Sequence, residues 1–159
     1  RRKSPMARLP VLELDDGACI CESVAICRYF EELQPDPPLM GVDARDRAIV
    51  EMWQRRIELD LFTTLGHSYR HTAPQMAQLE DQVPEWGEKN RARAAKGFAW
   101  LDSVLAETPF VAGERYTIAD ITALCAVDFA KWSKVRIQPE QTNLQRWYDS
   151  VSSRPSAKA

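Results

Sequence analysis

The spacing of apolar positions changes along the chain, and each change marks an element. Leu9-Pro10-Val11-Leu12-Glu13-Leu14 reads as a strand with Pro10 near its beginning. Asp15-Asp16-Gly17 then supplies the residues of a tight hairpin turn before a short return strand, Ala18-Cys19-Ile20-Cys21. From Ser23 the repeat lengthens: Ile26, Phe30 and Leu33 fall at i, i+4 and i+7, one face of a helix. Three prolines in four residues, Pro35, Pro37 and Pro38, end that helix and favour semi-rigid extended chain.

Beyond the prolines the pattern is helical throughout. Asp43 can cap a helix that carries Ile49, Met52, Trp53, Ile57, Leu61 and Leu65 inward and continues towards His71 before Pro74. A second spans residues 85–107, with Trp86, Phe98, Leu101 and Leu105 as apolar positions and Thr108-Pro109 as its end. Thr117-Ile118-Ala119-Asp120 is an Asp version of the reciprocal cap: the Thr117 hydroxyl can accept from the Asp120 amide, and the Asp120 carboxylate from the Thr117 amide. Tyr116 and Ile121 flank it as a hydrophobic staple, starting a helix that runs to about Ser133. Leu144, Trp147, Tyr148 and Val151 mark a final amphipathic helix.

The expected organisation is α+β: a hairpin with one helix over residues 1–34, a proline-rich linker over 35–43, and an all-helical part over 44–159. Two strands and one helix cannot enclose a core. Either residues upstream of this chain complete the first part, or it leans wholly on the helical part.

Composition narrows the function classes. At 45% hydrophobic and 28% charged over 159 residues, collagen-like, disordered and disulfide-scaffold readings are excluded. Lys and Arg number 21 against 23 Asp and Glu, a net charge of −2, so neither nucleic acid nor an anionic membrane is an expected partner. The basic start, Arg1, Arg2, Lys3 and Arg8, meets the strand at Leu9 with no signal-peptide apolar region between them. The most apolar helix, Ile121 to Ala130, falls short of the ~20 residues of a membrane span and is broken by Asp128, which reads as a buried, hydrogen-bonded group. Cys19, Cys21, Cys27 and Cys125 lack zinc-site spacing; each reads as a small buried hydrophobe in a reducing compartment, which points to the cytoplasm. His67 and His71 have a metal-compatible i, i+4 spacing. Ser68 stands where a zincin requires Glu, though, and no third ligand is evident, so no metal is expected. The five tryptophans read as core or interface edge.

One constellation carries chemistry. The hairpin brings Leu9-Pro10 towards Glu22-Ser23, where the next helix opens. A cis Leu9–Pro10 bond would turn the Leu9 amide and carbonyl sideways, free to pair with an extended peptide-like ligand. Glu22 can take an ammonium group, and the Ser23 hydroxyl with the first helical amides can take a carboxylate. A lone Glu22 would be only a helix-start carboxylate; the combination is what points to a ligand with a peptide backbone and an amino-acid head.

The run Ser4-Pro5-Met6-Ala7-Arg8-Leu9-Pro10-Val11-Leu12-Glu13, the turn Asp16-Gly17, and Glu22-Ser23-Val24-Ala25-Ile26-Cys27-Arg28-Tyr29-Phe30 together resemble the glutathione S-transferase superfamily. That family's pattern is Asn-Pro-x-Gly-Lys-(Val/Leu)-Pro-x-Leu, a Gly-containing turn, and (Glu/Gln)-Ser-x-Ala-Ile-x-x-Tyr-Leu, with Ser4 here replacing Asn and Ala7 replacing Gly. The Thr117 to Asp120 box and the closing Asn143-Leu144, Trp147 and Arg154-Pro155 are similar too, so the resemblance covers the whole chain.

The resemblance implies the second half of a thioredoxin-like domain, its first part not in this chain, followed by an all-α helical-bundle domain. It implies glutathione as co-substrate and no metal. The Leu9 backbone, ahead of cis Pro10, would pair with the cysteinyl unit, Glu22 and Ser23 would hold the γ-glutamyl end, and Arg8, at the family's Lys position, would stand near the glycyl end. The activity implied is transfer or exchange of the glutathione thiol onto small electrophiles, as in detoxification, by a cytoplasmic homodimer. The family's thiol-activating Ser, Tyr or Cys ends a first strand to which nothing here corresponds, so no catalytic residue is assigned. The alternative is a non-catalytic glutathione transferase-like protein-interaction module; a glutathione-dependent isomerase or dehalogenase would share the site.

Overall fold

A computed structural model describes residues 3–158. Strands β1 (Val11–Glu13) and β2 (Cys19–Cys21) pair antiparallel with Val11 opposite Cys21, Leu12 opposite Ile20 and Glu13 opposite Cys19. The Asp16 carboxylate accepts from the Ala18 amide at 2.9 Å, closing the turn. Helix α1 (Ser23–Leu33) follows. The periodic face read from the sequence exists but is not covered, since Phe30 is 51% and Leu33 63% exposed. A two-stranded sheet offers a helix too little apolar surface to bury such a face.

The linker is tied down on both sides. Glu31 of α1 accepts from the Leu39 and Met40 amides (3.2 and 2.7 Å), and Arg115 donates to the Pro38 carbonyl at 2.6 Å. The Asp36–Pro37 peptide is cis. The Ile118 amide, at the start of a later helix, donates to the Leu39 carbonyl at 3.0 Å. A small cluster of Met40, Val50 and Ile118, with Val24 of α1 against it, joins the hairpin unit to the helices.

Helix α2 (Ala44–Arg56) begins at Asp43, whose side chain accepts from the Asp46 amide at 2.9 Å, as expected of a cap. It runs through a π-helical stretch, Ile57–Phe62, into α3 (Thr63–Thr72). The buried stripe is Val50, Gln54, Ile57, Leu61 and Leu65. Met52 departs from the sequence reading: it falls off this three-to-four spacing and faces outward. Helix α4 (Pro84–Glu107) packs along α3, burying Phe98, Leu101 and Leu105. Of the tryptophans, Trp147 is fully buried, Trp53 stacks on the partly exposed Trp100, and Trp86 and Trp132 are exposed.

Helices α5 (Ile118–Ala130) and α6 (Thr142–Ser152) complete the core, and the reciprocal cap forms at Thr117 and Asp120. Asp120 is fully buried, and its two oxygens accept from the amides of Val111 and Thr117, the Thr117 hydroxyl and the Trp147 indole, at 2.9 to 3.2 Å. Burial pushes its carboxyl up from the usual aspartate range, against the pull of those donors. Asp128 corrects the sequence reading: it is exposed, and accepts from the Tyr148 hydroxyl at 2.7 Å.

Two outcomes are expected. Asp120→Ala strands three buried N–H donors and should cost about 3 kcal/mol or more in urea unfolding, with Asp120→Asn intermediate. Asp46, which accepts from the Val42 amide and pairs with Arg115, has its carboxyl held below the usual range by that amide first and by Arg115 second. A depressed native value stabilises above the unfolded value and is lost as pH falls, so Asp46→Asn should flatten part of the decline in urea midpoint below about pH 4.

Candidate functional site

The two backbone features of the hairpin meet at its open end. Val11, just after Pro10, pairs with Cys21, just before Glu22, so the Leu9–Pro10 peptide and the start of α1 lie at the same end of the hairpin. The Leu9–Pro10 peptide is cis. Leu9 is 89% exposed, with its main-chain amide and carbonyl unpaired among the described residues. Just upstream, the buried Ser4 hydroxyl donates to the Arg8 carbonyl at 2.9 Å and accepts from the Arg8 amide at 3.0 Å. This small ring fixes the Arg8 backbone and leaves the side chain exposed beside Leu9.

Glu22 precedes α1 with φ 70° and ψ 122°, and its carboxylate does not cap the helix. A non-glycine residue held at positive φ is strained by about 1–3 kcal/mol, and such residues concentrate at ligand-binding positions. Ser23 is exposed at the first helical position. The first intrahelical bond runs from the Ile26 amide to the Glu22 carbonyl, so the amides of the first turn are left to a ligand or solvent at the positive end of the helix. An acidic group, a hydroxyl, open helical amides and an unpaired strand edge therefore share one surface. That surface can hold a zwitterionic amino-acid head with an extended backbone behind it.

Behind Ser23 lies a cavity of about 170 Å³ between α1, α2 and α5, bounded by Cys27, Gln54, Phe62, Ile121 and Cys125. Gln54 is fully buried there, and neither its amide nitrogen nor its oxygen has a partner among the described residues. It was not read from the sequence. The available signal was a polar residue inside the stripe from Val50 to Leu65.

The cysteine reading also needs correction. All four are free thiols, with Cys19, Cys27 and Cys125 exposed and Cys21 half-buried, because the hairpin has an open face and the other two border the cavity. Partial burial and Glu31 push the Cys27 thiol up, and partial burial and Asp128 do the same at Cys125, so neither is poised as a thiolate. Among the described residues no three His, Cys, Asp or Glu side chains gather as a metal site.

Residues 63–155 match the glutathione S-transferase C-terminal domain, and residues 1–38 match the N-terminal domain. The chain belongs to the glutathione S-transferase family. It is 35% identical to glutathione S-transferase 2 of Saccharomyces cerevisiae over 158 residues, which are 98% of this chain and 68% of the yeast protein. The crystal structure of the yeast protein, Gtt2, superposes with a TM-score of 0.92, covering 99% of this chain and 76% of that one. A glutathione S-transferase domain-containing protein of Marinobacter aquaeolei is 38% identical with the same TM-score, covering 99% of this chain and 78% of that one. A probable maleylacetoacetate isomerase of Drosophila melanogaster is 32% identical over 89% of this chain and 55% of its own length.

Against the family pattern the departures at Ser4 and Ala7 acquire a physical meaning. Ser4 closes the ring with Arg8, while Ala7, at the family's Gly position, is forced to φ 53°. Ala7→Gly should therefore raise stability by about 0.5–1 kcal/mol in urea unfolding. Glu22→Gly should stabilise by about 1 kcal/mol for the same reason, so a loss of binding in that variant would not come from a weakened fold.

Proposed function

We propose that this chain binds glutathione at the open end of the hairpin and serves its transfer or exchange onto small electrophilic substrates. The observation that supports the reading is the Val11–Cys21 pair, which ends the hairpin between the cis Leu9–Pro10 peptide and Glu22 at positive φ. In this reading Leu9 pairs through its main-chain amide and carbonyl with the cysteinyl unit. Glu22 takes the ammonium of the γ-glutamyl end, and Ser23 and the first helical amides take its carboxylate. Arg8 reaches the glycyl carboxylate. The cavity behind Ser23, between α1, α2 and α5, is where an acceptor can approach the sulfur.

In the transfer step the glutathione thiol gives up its proton, and the thiolate attacks an electrophilic carbon or a disulfide sulfur, displacing a leaving group that departs with the bonding pair. Residues 1–34 act as the glutathione-binding part, 35–43 as the linker and 44–159 as the helical domain, in a cytoplasmic homodimer. Family membership and the similarity to glutathione S-transferase 2 support this reading.

Retention on a glutathione matrix tests it. Glu22→Ala and Ser23→Ala should each lose about 1.5–3 kcal/mol of binding, roughly a 10- to 150-fold weakening. Undiminished retention in both variants would remove the site. A turnover panel of aromatic halides, epoxides and peroxides then separates transfer from the non-catalytic interaction module, which would bind glutathione and turn nothing over.

A further inference from the structure

His67 and His71 sit on successive turns near the end of α3, their rings stacked at 6.1 Å between centroids. His67 also meets the edge of Trp86, on α4, at 6.2 Å. The connection from Ala73 to Val83 folds back over this helix end and is held by a few polar contacts. Gln82 donates from its side-chain amide to the carbonyls of Arg70 and Ala73, both at 2.8 Å, and Arg70 pairs with Glu80 at 2.6 Å. Gln75 donates from its side-chain amide to the Tyr69 hydroxyl at 3.0 Å. One further contact differs in kind: the Val83 amide donates to Nδ1 of His71 at 3.1 Å.

A ring nitrogen accepts a hydrogen bond only while it carries no proton, so this contact requires a neutral His71 with its hydrogen on Nε2. Val83 is the N-cap of α4, and no side chain caps that end. A Cβ at Gly87 of α4 would stand 2.4 Å from the Thr72 methyl and 3.1 Å from the His71 Cβ, so α3 and α4 are in direct contact one turn beyond Val83. The charges around it come from three elements. Arg70 is on α3 itself, and Asp81 and Glu80 are on the connection. Glu85, Glu88 and Arg91 are on the first turns of α4, with Glu88 and Arg91 paired to each other. The Glu80 carboxyl is held below the usual range chiefly by Arg70, with weaker pulls from His71 and His67.

We propose that His71 is a proton-operated latch on the connection between α3 and α4. Neutral, it holds the Val83 amide and pins the first turn of α4. On taking a proton from solvent it becomes a donor at both ring nitrogens, releases Val83, and turns towards the Glu80 carboxylate in competition with Arg70. Opening is confined to residues 73–83 and the start of α4, because the α3 and α4 contacts through Leu65, Phe98 and Leu101 belong to the main core.

Amide exchange resolved by NMR tests it on the chain as it stands. As pH falls from about 7.5 to about 5, across the range in which histidine changes charge, the protection factor of the Val83 amide should fall by ~10-fold or more while those of Leu101 and Leu105 hold. The Val83 amide shift should follow the His71 ring titration with the same midpoint. His71→Gln, whose amide oxygen accepts without titrating, should keep Val83 protected at both ends, and His67→Gln should leave the response in place. The proposal is overturned if Val83 protection does not change with pH, if the loss persists in His71→Gln, or if it vanishes in His67→Gln.

Discussion

The described fold turns on one buried carboxylate. Asp120 gathers donors from the loop before α5, from the cap of α5 and from Trp147 on α6, and so fixes where α5 begins relative to everything around it. That position matters beyond the core. The first amide of α5, at Ile118, takes the Leu39 carbonyl of the linker, and the Ile118 side chain packs with Met40 and Val50 against Val24 of α1. Through these contacts a charge in the helical part sets where α1 starts, and with it the positions of Glu22 and Ser23. A carboxylate buried this deeply is tolerable only because each oxygen is saturated by donors that would otherwise be orphaned themselves.

Local signals in the sequence were legible where the physics is local. The cap at Thr117 and Asp120, the cap at Asp43 and the end of α4 at Thr108 rest on contacts a few residues apart, and a pattern of residue types is enough to see them. What could not be read is how far such groups reach. Trp147 is 27 positions from Asp120, and nothing in the intervening pattern joins them. The π-helical stretch at Ile57–Phe62 continues the apolar repeat without any breaker residue, so it is silent in the sequence. Residue type alone points the cysteines inward, and type does not decide exposure when an element packs on one side only.

The candidate site was legible for a different reason. Leu9-Pro10 and Glu22-Ser23 are separated by a turn whose residues fix the hairpin, and the register of a hairpin follows from its turn, so their approach to one end follows from the sequence. The positive φ at Glu22 could not, because glutamate has no tendency to adopt it and the strain is imposed by the step from strand to helix. Gln54 was missed because one polar residue in an apolar stripe is ordinarily satisfied by a neighbour. Here both ends of its amide stand at the cavity wall, unpaired among the described residues.

These features gather the candidate site at the end of the hairpin and the start of α1. Two of the residues around it, Ala7 and Glu22, sit at backbone angles that oppose folding. The hairpin unit persists because the Glu31, Arg115 and Ile118 contacts anchor its linker to a core that it does not itself build. Strain is thus carried where a ligand would make contact, while rigidity is supplied some distance away, by Asp120 and the helices around it. Relieving the strain and loosening the anchor would both change binding, but with opposite effects on stability. That sign separates a residue shaped for a ligand from one that merely supports the fold.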